Sequence, residues 1–156
     1  MNCKDLGASL YVHTFGAFFG VAASRWFAPR WAPIAWQDKN KGMYTSELIS
    51  AVGTLFLFIY WPSMNAVHAT GLTVVRCVLN TVLSLVASVM TSCFVSFMYF
   101  NGKLDAKVVF HASIAGGVAM GMAGELLTQP THAMLTGMVA GAISTFGFVT
   151  LDSDTP

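Results

Sequence analysis

Five apolar stretches, each close to the length of a bilayer-crossing helix, constrain this chain more than any other feature; they cover about residues 7–26, 46–67, 79–100, 107–127 and 133–150. Roughly 20 helical residues at 1.5 Å each cross a hydrocarbon core about 30 Å thick. Lipid offers no partner to a backbone N–H or C=O, so a run of this length is a helix unless it closes into a barrel. The alternating apolar and polar pattern of a barrel strand is absent. The sequence therefore predicts an all-α fold, a polytopic bundle of five spans forming a single unit over residues 1–156. Composition agrees: 55% of residues are apolar, 10% are charged and the mean hydropathy is +0.64, outside the range of ordinary soluble domains.

The sparse charge excludes some function classes. A net charge of +1 spread over isolated lysines and arginines gives no electrostatic footprint for nucleic acid. Cys3, Cys77 and Cys93 lack disulfide or metal-ligand spacing and are expected to pack as small hydrophobes. No cofactor is predicted. Met1–Lys4 carries no tripartite secretory pattern, so the first span itself is expected to direct insertion. The segment Arg25–Thr45 holds Pro29, Pro33, Trp26, Trp31 and Trp36, which suits an interfacial loop with aromatic anchors. With five spans, Arg25, Arg30, Lys39, Lys41, Lys103 and Lys107 share one side, against Lys4 and Arg76 on the other. The positive-inside rule then puts the N-terminus outside and the C-terminus, with its solvated tail Asp152–Pro156, in the cytoplasm.

Within the first span lies an ionisable group. His13 sits mid-way along the apolar run, and an intramembrane imidazole is a functional-site hypothesis by default. Asp5, Ser9 and His13 are spaced i, i+4, i+8, which on a helix sets them down one face from the outer edge inward. In a narrow apolar passage desolvation disfavours imidazolium, and the neutral ring donates at one nitrogen and accepts at the other. That suits a small hydrogen-bonding solute. An interhelical hydrogen bond is the competing role.

Other groups read as structural. The G-x-x-x-G pairs Gly16/Gly20, Gly117/Gly121 and Gly137/Gly141 are expected to be contact seams, because missing side chains let helix backbones approach. The aromatic run Phe56, Phe58, Tyr60 and Trp61 is expected to face lipid or pack in the bundle, with Trp61–Pro62 bending or ending the second helix. His68 and His132 are expected in outer loops, and His111 one turn after Lys107 near the cytoplasmic edge. Ser9, Ser84 and Ser88 lie in apolar runs, but no G-x-S-x-G turn, H-E-x-x-H helix or second mid-membrane carboxylate accompanies them, so the chain is not expected to be an enzyme.

Three ordered blocks carry a resemblance: Asp5-Leu-Gly-Ala-Ser-Leu-Tyr-Val-His13-Thr-Phe-Gly-Ala-Phe-Phe-Gly20, then Gly53-Thr-Leu-Phe-Leu-Phe-Ile-Tyr-Trp61-Pro-Ser-Met64-Asn65, then Asn80-Thr81 through Gly102-Lys-Leu-Asp105 to Ala115-Gly-Gly-Val-Ala119. In order and spacing they resemble the Rhesus branch of the ammonium transporter family. The resemblance implies a homotrimer in which each subunit has its own narrow apolar pore for ammonia or ammonium, and for carbon dioxide, in a membrane expected to be the plasma membrane. It assigns the substrate pathway to Asp5, His13, Met64 and Asn65: Asp5 holds the outer ammonium site in shape, and His13 is the first of two pore histidines.

Two departures limit the transfer. Met64 stands where the family places a gate phenylalanine, and a thioether has no rigid ring face. Family members are also several hundred residues long, and this chain resembles a central portion without the second histidine; His111 is not that partner. The leading expectation is therefore ammonium passage by part of a transporter, and the alternative is a non-conducting membrane subunit that acts as a scaffold.

Overall fold

The computed structural model describes residues 5–27 and 43–151. Expectations placed on Cys3, Lys4, the prolines, tryptophans and basic residues of 28–42, and the acidic tail lie outside the described residues. A π-helical turn, Ser9–Thr14, leads into α1 (Phe15–Phe27); there follow α2 (Tyr44–Asn65), α3 (Leu72–Tyr99), α4 (Ala106–Ala123) and α5 (Pro130–Leu151). The described residues contain no strand. The last four helices are each long and apolar enough to cross a membrane. The first segment reaches comparable length only by joining its six π-helical residues to the 13 of α1.

Helix ends follow local chemistry more closely than hydropathy. α3 starts at Leu72 rather than near 79, because Arg76, which breaks the apolar run, is exposed and leaves the helix free to continue beneath it. α4 opens on Asp105, whose carboxylate accepts from the Val108 N–H at 3.1 Å. It closes at Ala123, short of 127, and Asn80 Nδ2 donates to the carbonyls of Gly124 (3.0 Å) and Leu127 (2.8 Å) just beyond that end. Pro130 occupies the first position of α5, where its missing N–H has no helical acceptor to lose; His132 therefore lies in the first turn of α5 rather than in a loop. Pro62 does not end α2, which runs on to Asn65. Only its final turn follows the proline, so the single lost backbone bond is tolerated.

The core is a three-helix seam. Along α3, Ser84, Ser88, Ser92 and Ser96 recur every four residues and are fully buried. Ser84 Oγ donates to Gly116 O at 2.9 Å and Ser88 Oγ to Ala112 O at 2.8 Å, so α4 runs antiparallel to α3. Gly137 of α5 lies against the Ser84 backbone and Gly141 against Ser88, so α5 runs parallel to α3. A methyl added to Gly141 would sit 2.7 Å from the Ser88 carbonyl oxygen, which makes Gly137/Gly141 a contact seam. Gly16/Gly20 is not one: nothing among the described residues lies within 4 Å of either added methyl, and no residue of α1 is buried.

Candidate functional site

The site forms where the start of the first segment lies against α4. Asp5 stands outside the helix, and its carboxylate accepts three backbone N–H groups, from Ser9 (2.9 Å), Leu10 (2.7 Å) and Tyr11 (3.2 Å). Those are orphan donors of a helix start, where a negative charge is favoured. The expected continuous helical face from Asp5 to His13 is thus replaced by a cap followed by a π turn. Ala8 carries the change of direction at φ 56°, a left-handed conformation that costs a residue with a Cβ about 1–2 kcal/mol. Its carbonyl then accepts from both Val12 N (2.9 Å) and His13 N (3.3 Å), the second bond being the i→i+5 link of a π-helix.

Two contacts fasten this loop to α4. Gly7 N–H donates to Gly121 O at 2.9 Å, and Ser9 Oγ donates to Val118 O at 2.5 Å. The approach is close because both partners lack side chains: a methyl on Gly7 would strike the Asn65 amide and the Gly121 backbone, and one on Gly121 would strike Ser9 Oγ.

Across α4 stands the end of α2. Trp61 and Asn65, one turn apart, present the same helical face and are 5% and 1% exposed. Asn65 Nδ2 donates to Gly117 O (2.9 Å) and Thr81 Oγ1 (3.2 Å), and its backbone carbonyl accepts from Cys77 Sγ (3.2 Å). The Trp61 indole lies over Gly117, where an added methyl would be 2.6 Å from Cδ1 and 2.8 Å from Nε1. His13 stacks on that indole, with ring centroids 5.5 Å apart and planes inclined by 25°. Trp61 Nε1 is buried and has no hydrogen-bond partner among the described residues. A buried donor left unpaired costs about 1–3 kcal/mol.

Beside the Asp5 loop lies a depression of about 240 Å³ lined by Asp5, Leu6, His68, Ala69, Thr70 and Glu125. His68 lies in the turn after α2 and is exposed. Of the residues assigned from sequence, Asn65 bonds Gly117, His13 stacks on the indole that covers Gly117, and Asp5 caps the turn whose Ser9 bonds Val118, whereas Met64 is 48% exposed. His111 stands six residues before Gly117, about 9 Å along the helix, and stacks on Phe148 with centroids 5.0 Å apart. No cluster of three metal-capable side chains occurs among the described residues.

Comparison with known proteins places this arrangement. The model of the Ammonium Transporter Family matches residues 1–154. The chain belongs to that family. Ammonium transporter Rh type C of Homo sapiens is 41% identical over 153 residues, and that of Sus scrofa 42% over 155, in each case across 97% of this chain. The chain spans about a third of the length of these relatives, 32% and 33% respectively. Its fold is that of Nitrosomonas europaea Rh50, a member of the Rhesus protein family of channels, with a TM-score of 0.86 at 29% identity; 96% of this chain and 38% of that one are covered. The all-helical architecture and the Rhesus branch expected from sequence thus agree with structure and relatives alike.

Trp61, Gly117 and Gly121 were not singled out from sequence as site residues, although a signal existed. Trp61 precedes Asn65 by four residues, so any role given to Asn65 brings the indole onto the same face. Gly117 and Gly121 were expected to be a helix seam, and they receive a ring and a loop instead of another helix.

Proposed function

We propose that the chain forms the outer part of a passage for ammonia, with ammonium gathered at the mouth beside Asp5 and the neutral solute moving past His13 and Trp61. The observation that carries this reading is the stack of His13 on a buried indole whose N–H has no partner among the described residues. A charge at the bilayer centre costs at least about 2.5–3.5 kcal/mol, a penalty that ammonia avoids once its proton is shed. A neutral His13 ring supplies one donor and one acceptor, and the Trp61 N–H a second donor, so the solute keeps hydrogen bonds while the walls stay apolar.

Asp5 acts in this scheme without touching the solute. Its carboxylate is committed to three backbone donors, so it fixes the shape of the mouth and lends it negative potential. Met64 and Asn65 belong to the same outer region: Asn65 locks the end of α2 to α4, and Met64 borders the entrance as a flexible gate. The chain sits in the plasma membrane with its N-terminus outside, assembles as a trimer with one passage per subunit, and extends to carbon dioxide as a second small solute.

A second reading has its own support. α1 has no buried residue, and most of α2 is exposed, so much apolar surface is left uncovered by the described residues. The alternative is a non-conducting subunit that docks on other membrane chains. Ammonia-driven alkalinisation of the lumen of vesicles holding this chain separates the two. Transport predicts a flux that falls at least about tenfold in His13→Ala, the scale of about 1.4 kcal/mol on the barrier; no flux above empty vesicles refutes conduction by the chain and leaves the scaffold.

A further inference from the structure

We infer that Ser9 is a positioning residue that holds the imidazole of His13 on the Trp61 indole by tying the π turn to the stretch of α4 on which Trp61 rests. All three polar groups of Ser9 are engaged: its N–H by Asp5 Oδ1 (2.9 Å), its hydroxyl by Val118 O (2.5 Å), and its carbonyl by Thr14 Oγ1 (2.9 Å). The turn is therefore held at its first residue and closed at its last. Val118 directly follows Gly117, the residue beneath the indole, so both rings of the stack take their register from neighbouring residues of α4.

The π register is what makes an anchor necessary. An α-helical turn repeats every 3.6 residues, whereas the i→i+5 turn is wider and swings His13 by roughly tens of degrees from where an α-helix begun at Ser9 would aim it. π turns are rare and depend on their surroundings. Here no residue of the turn is buried, so packing does not impose it. The Asp5 cap fixes only where the helix starts. The Ser9 hydroxyl is the side-chain bond that fastens the turn to another helix, and Gly121 provides the space it needs.

The assignment rests on the passage reading only for its effect on flux, and the contact itself is measurable without transport. With Trp26, Trp31 and Trp36 replaced by Phe, Trp61 is the sole indole. Its emission intensity and lifetime are recorded in bilayers at one fixed pH, because a ring stacked with centroids 5.5 Å away alters them. The difference between the parent and His13→Ala reports the stack. It falls about threefold or more in Ser9→Ala, the population change expected on losing one net hydrogen bond, and returns in Ser9→Thr. Gly121→Ala, which puts a methyl where the hydroxyl lies, gives the same loss from the opposite side.

Full retention of the signal in Ser9→Ala or Gly121→Ala, equal loss in Ser9→Thr, or no His13-dependent signal in the parent overturns the inference. Ammonia flux measured on the same samples separates the two claims. Flux indifferent to His13→Ala alongside the expected emission pattern defeats the passage and leaves the positioning role intact.

Discussion

The two halves of this bundle are held by different means. In α3, α4 and α5, serines on one helix meet glycines on its neighbours, and backbones lie so close that no side chain fits between them. The first segment and α2 touch the rest mainly near one end, through the Asp5–Ser9 loop, Trp61 and Asn65, and leave Phe15, Phe18, Phe19, Ile49, Val52, Phe56 and Ile59 exposed. The seam is a rigid scaffold, while the loosely seated half contributes the ionisable and aromatic groups. The loose half is pinned by hydrogen bonds and a ring contact, most of them on Gly117–Gly121 of α4 and two between Asn65 and α3.

The largest effect is expected in the seam. Gly137→Leu drives a side chain into the Ser84 backbone, and because backbone cannot move aside the bundle should lose about 3 kcal/mol or more, measured by denaturant titration of helicity in detergent. Gly16→Leu, in the same kind of motif but facing open space, should change stability by less than about 0.5 kcal/mol. Equal effects would abolish the distinction between the halves. Next in size is Asn65→Ala, which removes two bonds pinning α2 and should cost about 1–3 kcal/mol, with faster hydrogen exchange confined to the end of α2.

Asp5→Ala strips the cap from three N–H groups and should cost about 1–2 kcal/mol, seen as exchange at Leu10 and Tyr11 with the seam unchanged. Protection lost along α3 as well would mean that the loop and the seam are one cooperative unit. The smallest effect belongs to Ala8→Gly. It relieves the left-handed strain but loosens the unfolded chain, so stability should rise by about 1 kcal/mol at most.

The all-helical fold and four long apolar helices are legible in the sequence because hydropathy follows the length of an apolar run, and the ordered blocks point to the family. The sequence is less informative where hydrogen bonds override hydropathy. Arg76 masked the first turn of α3, and Asn80 capping the end of α4 had no local signature. The π turn was invisible because Ser9 and His13 keep an i, i+4 spacing in either helical register. Its cause lies in contacts to Gly121 and Val118, more than a hundred residues away. Asp5 stands out in the sequence as a candidate, while the bonds of its carboxylate to three backbone donors are visible only in the fold.

The central claim is that a small solute passes from the mouth, where His68 lies, to His13, and reaches neither His111 nor His132. Nitrogen-15 NMR of histidine-labelled chain in bilayers tests it, because His111 and His132 are internal controls in the same sample. At fixed pH, ammonium chloride added in place of potassium chloride should move the ring signals of His13 and leave those of His111 and His132 where they were. If His13 stays fixed, or His111 and His132 move with it, solute does not reach the stacked ring selectively and the account of the passage is wrong.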